Sequence, residues 1–212
     1  MRAEEQVQKS EKREAILQAA LELVAENGLQ HTPMSMISKR SRASAGIIYH
    51  YFESKDDLLA SLYQRIKREM SRAIAARYDP QQPLVKRFQS LWLSMFHYAL
   101  AHPKEMVFLE QYESIPGVKQ HEGVKTLQDM AEDWQRKNPF GAENDLEAQV
   151  LHGLVRDLSA QDLLKDLPLE VIGEFTMGVA LRLARQSAAG LVKLDEAALN
   201  NVARACWDAI AR

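Results

Sequence analysis

Apolar residues recur along the first part of the chain at three- and four-residue steps. Between Ser10 and Asn27 they fall at Ile16, Ala20, Leu23 and Val24. That is one stripe of a 3.6-residue period, and it predicts an amphipathic helix over 11–27 closed by Asn27-Gly28. The same step returns at Leu58, Leu62, Ile66 and Met70. A long helix over 55–78 is predicted there, stopped by Asp79-Pro80 and Pro83. Between the two stripes lies HTPMSMISKRSRASAGIIYHYFESKDDLL, residues 31–59, with three helix-start signals. Thr32 is placed as an N-cap with Pro33 at the first helical position, and Ser44 as a second N-cap ahead of a two-turn helix over 45–51. Ser54 is a third, followed by Asp57 where a capping box usually carries Glu or Gln. Residues 1–10 are polar and expected to fray.

From Leu84 onward the pattern predicts helices over 84–101, 103–113, 118–137, 146–158, 169–189 and 195–211. The separators are His102-Pro103, Pro116-Gly117, Asn138-Pro139, Pro168 and Gly190. There is no strand alternation and no hairpin turn signal. The fold class expected is all-α, with an amino-terminal three-helix domain over 10–70 and a larger helical domain over 80–212. Three helix starts with a tight turn between the first two have helix-turn-helix spacing, here residues 33–52.

Composition changes this picture little, and charge changes it locally. The 212 residues are 46% hydrophobic and 26% charged with a net charge of −2, an ordinary balance that does not advertise a polyanion partner. From Thr32 to Phe52, however, there is no acid, while Lys39, Arg40 and Arg42 are positive. A zone without carboxylates is what a phosphate-facing surface needs. The short second helix is poor in core residues: Gly46 permits close approach, and Tyr49, His50 and Tyr51 are able to touch phosphates and base edges. Cys206 is the single cysteine, which excludes an intramolecular disulfide and fits a reducing compartment. No apolar run approaches the ~20 residues that span a bilayer. A cytoplasmic protein without membrane contact is expected. No phosphate-binding glycine loop, zinc spacing or activated-nucleophile motif is present, and His121-Glu122 lacks the second histidine of a zinc helix. Neither catalytic residues nor a metal nor a cofactor is therefore expected.

The pattern G-x-x-Y-x-[HY]-F-x-S-K-x-x-L, filled by Gly46, Tyr49, Tyr51, Phe52, Ser54, Lys55 and Leu58, resembles that of the TetR family of bacterial transcriptional regulators. The likeness extends back to helix one and covers roughly the first seventy residues. One departure stands out: Arg42 occupies the turn where the family usually has Gly, at a cost of about 1 kcal/mol if its φ is positive. The resemblance implies a DNA-binding homodimer on a pseudo-palindromic duplex operator, most simply a repressor released by a small-molecule effector. Ser35, Ala45, Gly46, Ile47 and His50 would then face bases, with Ser44 capping that helix in the same surface. Thr32, Tyr49, Tyr51 and Lys55 would hold phosphates.

The resemblance further implies an effector cavity among the middle helices. Trp92 and Phe96 share a helix face, Phe108 and Tyr112 repeat the spacing, and Tyr63, Phe175, His152 and Arg156 complete the expected lining. Such walls suit an apolar or aromatic small molecule. The alternative for these aromatics is a plain helical core. The last two helices, with Val171, Phe175, Val179 and Leu183 on one and Leu199, Val202, Cys206 and Ile210 on the other, are implied to form the dimer interface. An intramolecular helix pair is the other reading. A competing function is an adaptor that keeps the fold but binds a protein in place of DNA. Tyr49, Tyr51 and Lys55 argue against it, because an adaptor needs no phosphate-facing groups.

Overall fold

The computed structural model describes residues 2–116, 157 and 163–212. The regular elements among them are helices, joined by one isolated antiparallel bridge between Leu164 and Ala211. Expected helices over 118–137 and 146–158 lie outside the described residues, apart from Asp157, which is helical. Contacts divide the chain into two units, Met1–Arg68 with Lys104–Lys119 and Glu69–Pro103 with Gln120–Arg212.

The first unit holds α1 (Arg2–Asn27), α2 (Met34–Ser41), α3 (Ala45–Tyr51), the first part of α4 (Lys55–Ala75) and α6 (Pro103–Glu113). Helix α1 begins at Arg2, ahead of the expected start at 11. Its opening run of Glu, Gln, Lys and Arg has high helix propensity, so Ser10 sits inside the helix. The anticipated stripe of Ile16, Ala20, Leu23 and Val24 is buried, together with Ile37, Ile48, Phe52, Leu58 and Leu62. Gly28 ends α1 at φ 84, with its N–H on the Val24 carbonyl at 2.9 Å. Ser54 Oγ caps α4 by accepting the Asp57 N–H at 3.1 Å, and the Asp57 carboxylate accepts the Glu53 N–H at 2.9 Å. The carboxylate thus meets the residue before Ser54, whereas the acid of a capping box bonds the N-cap N–H itself. Placing helix 103–113 in this unit departs from a linear boundary near residue 80.

The second unit holds α5 (Leu84–Ala101), α7 (Leu169–Gly173), a π-helical turn (Glu174–Gly178), α8 (Val179–Ala188) and α9 (Glu196–Ile210). Helix α5 packs on α8 and α9. Its Phe88, Trp92, Met95 and Phe96 are buried, as are Ala180, Ala184, Leu199, Ala203 and Cys206. The small residues on α8 allow the aromatic face of α5 to come close. The expected single helix over 169–189 changes hydrogen-bond register at the π turn. Trp92 Nε1 donates to the Thr176 carbonyl in that turn at 3.1 Å, and Thr176 Oγ1 donates to the Ile172 carbonyl at 2.8 Å. Buried Arg87 is satisfied by the Asp157 carboxylate at 2.8 Å and the Tyr78 hydroxyl at 2.6 Å. Burial alone would lower its pKa; these hydrogen bonds outweigh that and raise it.

Candidate nucleic-acid interface

Helix α3 is fastened by little and exposes much. Ser44 Oγ accepts the Ile47 N–H at 3.3 Å at its start, and the Phe52 N–H meets the Ile48 carbonyl at 2.9 Å at its end. Ile48, 1% exposed, is the residue of the helix that enters the core. Phe52 follows it at 1%, with the Arg13 guanidinium 5.2 Å from its ring centroid. Burying two such side chains stabilises by roughly 1.5–3 kcal/mol each and fixes which face of the helix turns inward. Ala45, Gly46, Ile47, Tyr49 and His50 remain exposed. Tyr51 is half-buried, its ring 5.3 Å from that of His50 in an edge contact. Ser35 lies exposed on α2.

The turn before α3 is built by hydroxyls. Ser38 Oγ donates to the Ala43 carbonyl at 2.7 Å and Ser41 Oγ to the Ile37 carbonyl at 2.7 Å. Arg42 sits between them at φ 55 and ψ 23, the left-handed conformation that glycine adopts without penalty. Its side chain is exposed.

Two sequence expectations need correction. Thr32 is not the N-cap of α2: Pro33 holds that place, without a side-chain cap. Thr32 is fully buried and its Oγ1 donates to the Gly28 carbonyl at 2.9 Å, so its hydroxyl serves the loop and is withdrawn from any phosphate. Arg40 is not a bare cation either. It pairs with Glu26 at 2.8 Å and Glu22 at 3.2 Å on α1, so the acid-free stretch in sequence acquires two carboxylates in space. Hydrogen bonding to Glu26 and Glu22 drives the Arg40 pKa up. Exposed Lys39 and Arg42 are left as the outward cations of this segment. The expected role of Lys55 is not among these: its Nζ donates to the Leu29 carbonyl at 3.0 Å. Two of its N–H bonds stay available for other acceptors.

The residues expected to line an effector cavity fall into two groups. Tyr63, Phe108 and Tyr112 lie in the first unit, with Tyr63 and Tyr112 rings 5.0 Å apart and Phe108 stacked on Tyr112 at 5.6 Å. Trp92 and Phe96 lie in the second unit, stacked at 6.0 Å and 1% and 2% exposed. Phe175, also in the second unit, is 43% exposed. His152 and Arg156 lie outside the described residues. Val171 and Leu181 join Phe175 as outward apolar side chains of the α7–α8 segment. Gln111 and Glu113 of α6 escaped sequence reasoning. They bond Leu29 and Tyr63, 82 and 50 residues away, and no local pattern marks such a distance.

A short helix capped by Ser44, anchored by Ile48 and presenting polar and aromatic groups beside an exposed turn defines a helix-turn-helix module. Residues 16–62 match the family model for bacterial regulatory proteins of the tetR family. Residues 83–154 and 136–211 match that for the tetracyclin repressor-like C-terminal domain. The chain belongs to the TetR family of bacterial regulatory proteins. It is 29% identical over 111 residues to an uncharacterized HTH-type transcriptional regulator of Haemophilus influenzae, spanning 52% of this chain and 59% of that protein. It is 41% identical over 66 residues to the HTH-type transcriptional regulator BetI 1 of Chromohalobacter salexigens, spanning 31% and 33%. The match thus covers less than two thirds of either relative. A solved TetR family protein from Vibrio parahaemolyticus has the same fold at a TM-score of 0.70, with 26% identity across 95% of this chain and 99% of that one. Among the described residues, no helix is long and apolar enough to cross a membrane.

Proposed function

We propose that the chain is a DNA-binding transcriptional regulator acting as a homodimer, a repressor released from its operator by a small apolar or aromatic effector. The observation that carries the reading is the composition of the α3 surface. Ile47 and Tyr49 are 38% and 56% exposed on a helix whose remaining outward residues are Ala45, Gly46 and His50. Ile47 suits contact with a thymine methyl, and Tyr49 and Tyr51 suit phosphates. The dimer is assigned to the α7–α8 segment and α9, because the former leaves Val171, Phe175 and Leu181 outward in the single chain. An effector releases DNA by binding the non-DNA-binding arrangement more tightly, so effector and operator weaken each other reciprocally.

Selection from random duplexes tests this. The expected product is a pseudo-palindrome with half-sites about 34–36 Å apart or a multiple, bound with an affinity that falls steeply as salt rises. No enriched palindrome and no salt-dependent binding would replace the regulator by a protein-binding adaptor. The effector is sought among hydrophobic compounds that release the selected duplex and alter tryptophan fluorescence.

A further inference from the structure

Leu29, on the segment that leads from α1 towards α2, has both its backbone polar groups held by side chains remote in sequence. The Leu29 N–H donates to Gln111 Oε1 on α6 at 2.7 Å. The Leu29 carbonyl accepts from Lys55 Nζ at the start of α4 at 3.0 Å. Leu29 is itself buried, so an unmet N–H there would lose both protein and water partners. Gln111 Oε1 also lies 3.6 Å from the position a Cβ on Gly28 would take, which places the amide directly against the bend after α1. The rest of α6 is fastened to the same unit. The Tyr63 hydroxyl donates to Glu113 Oε1 at 3.0 Å, the Tyr63 and Tyr112 rings are 5.0 Å apart, and Phe108 is fully buried.

We propose that Gln111 is a positioning residue for DNA binding. By holding the Leu29 N–H it fixes the backbone of that residue, whose carbonyl, in the next peptide plane, orients the Lys55 ammonium, so that the two remaining N–H bonds face a phosphate in a set direction. Helix α6, more than forty residues beyond the helix-turn-helix, thereby sets the grip of the DNA-binding surface. The inference rests on the DNA-binding reading above and refines one contact within it.

Two variants, compared with wild type, test it. Gln111→Met keeps length and removes the acceptor; Gln111→Glu keeps an acceptor. In the DNA-free protein, amide exchange at Leu29 accelerates about tenfold or more in Gln111→Met and stays slow in Gln111→Glu, because the hydrogen bond is what protects it. On the selected duplex, Gln111→Met weakens binding roughly five- to tenfold and lowers the salt slope by about one unit, as loss of one phosphate contact does. Gln111→Glu keeps the slope. In a Lys55→Met background, Gln111→Met has no further effect on affinity, since the group it positions is gone. If Gln111→Met does not fold, Gln111→Asn, one carbon too short to reach, carries the same measurements. An unchanged slope in the acceptor-free variant, or simple additivity with Lys55→Met, overturns the proposal. Absence of any wild-type binding to duplex DNA overturns the DNA-binding reading instead, and Leu29 exchange still reports whether the clamp exists.

Discussion

Replacing Gly46 by alanine separates what the helix needs from what its partner needs. Gly46 is the second residue of α3, and a Cβ built on it meets no heavy atom within 4 Å. The free protein therefore has room for the methyl group. Alanine restricts the unfolded chain and favours the helix by up to ~1 kcal/mol in a helix interior, and about half of that near the start of a short helix. For a chain of this length ~0.5 kcal/mol raises the unfolding midpoint by roughly 1–2 °C. If glycine is present to let the backbone of α3 approach base edges, the same methyl group enters that gap. Displacing one good base contact costs about 1–3 kcal/mol, which is roughly a 5- to 150-fold loss of operator affinity. Thermal unfolding followed by circular dichroism gives the first quantity, and fluorescence anisotropy with the selected duplex gives the second. The expected outcome is a variant that is more stable and binds worse. A Gly46→Ala protein that holds the operator as tightly as wild type refutes the close approach; one that is less stable refutes the open surroundings.

Arg42→Gly relieves the left-handed backbone at φ 55 and should stabilise by about 1 kcal/mol; a lower operator affinity with a smaller salt slope would add a phosphate contact for Arg42, and unchanged binding would confine it to the turn. Phe175→Asp places a carboxylate where the single chain leaves 43% of the side chain exposed. Sedimentation should therefore show a folded monomer that no longer binds the operator, and a persistent dimer would move the interface elsewhere. Acid pH tests the α1–α2 ion pairs. Glu22 is held below 4.5 by hydrogen bonds from Gln18 and Arg40, and Glu26 by its hydrogen bond from Arg40. Depressed carboxylates contribute stability that is complete above the unfolded value near 4.5 and fades as pH falls through the lower folded values. In Arg40→Gln both glutamates should titrate closer to 4.5 by NMR; unchanged titration would mean that the pairs do not persist in solution.

Local chemistry made much of this molecule legible. The Ser44 cap, the seven residues of α3, the bounds of α5 and α6 and the Ser54 start of α4 depend on groups within a few residues of each other. The buried stripes of α1 and α4 follow from a 3.6-residue period. That Arg42 stands at positive φ came from the structure; the sequence offered it only as a condition attached to the family's usual glycine at that place.

Tertiary structure decided the rest. Thr32 looks like a surface cap until Gly28 turns back over it, and Arg40 looks like a free cation until α1 brings Glu22 and Glu26 alongside. Lys55 and Gln111 acquire a common partner only when the chain folds Leu29 between them. Helix α6 joins the first unit although α5 separates it from that unit in sequence. In each case a polar group took a partner from a distant segment, and loop closure makes such pairings independent of any local pattern. Among the described residues the sequence determined where α1 to α6 and α9 lie and the apolar stripes of α1 and α4, because a 3.6-residue period and local caps need no distant partner; the tertiary fold determined which charges and hydrogen-bonding groups remain outward for a partner.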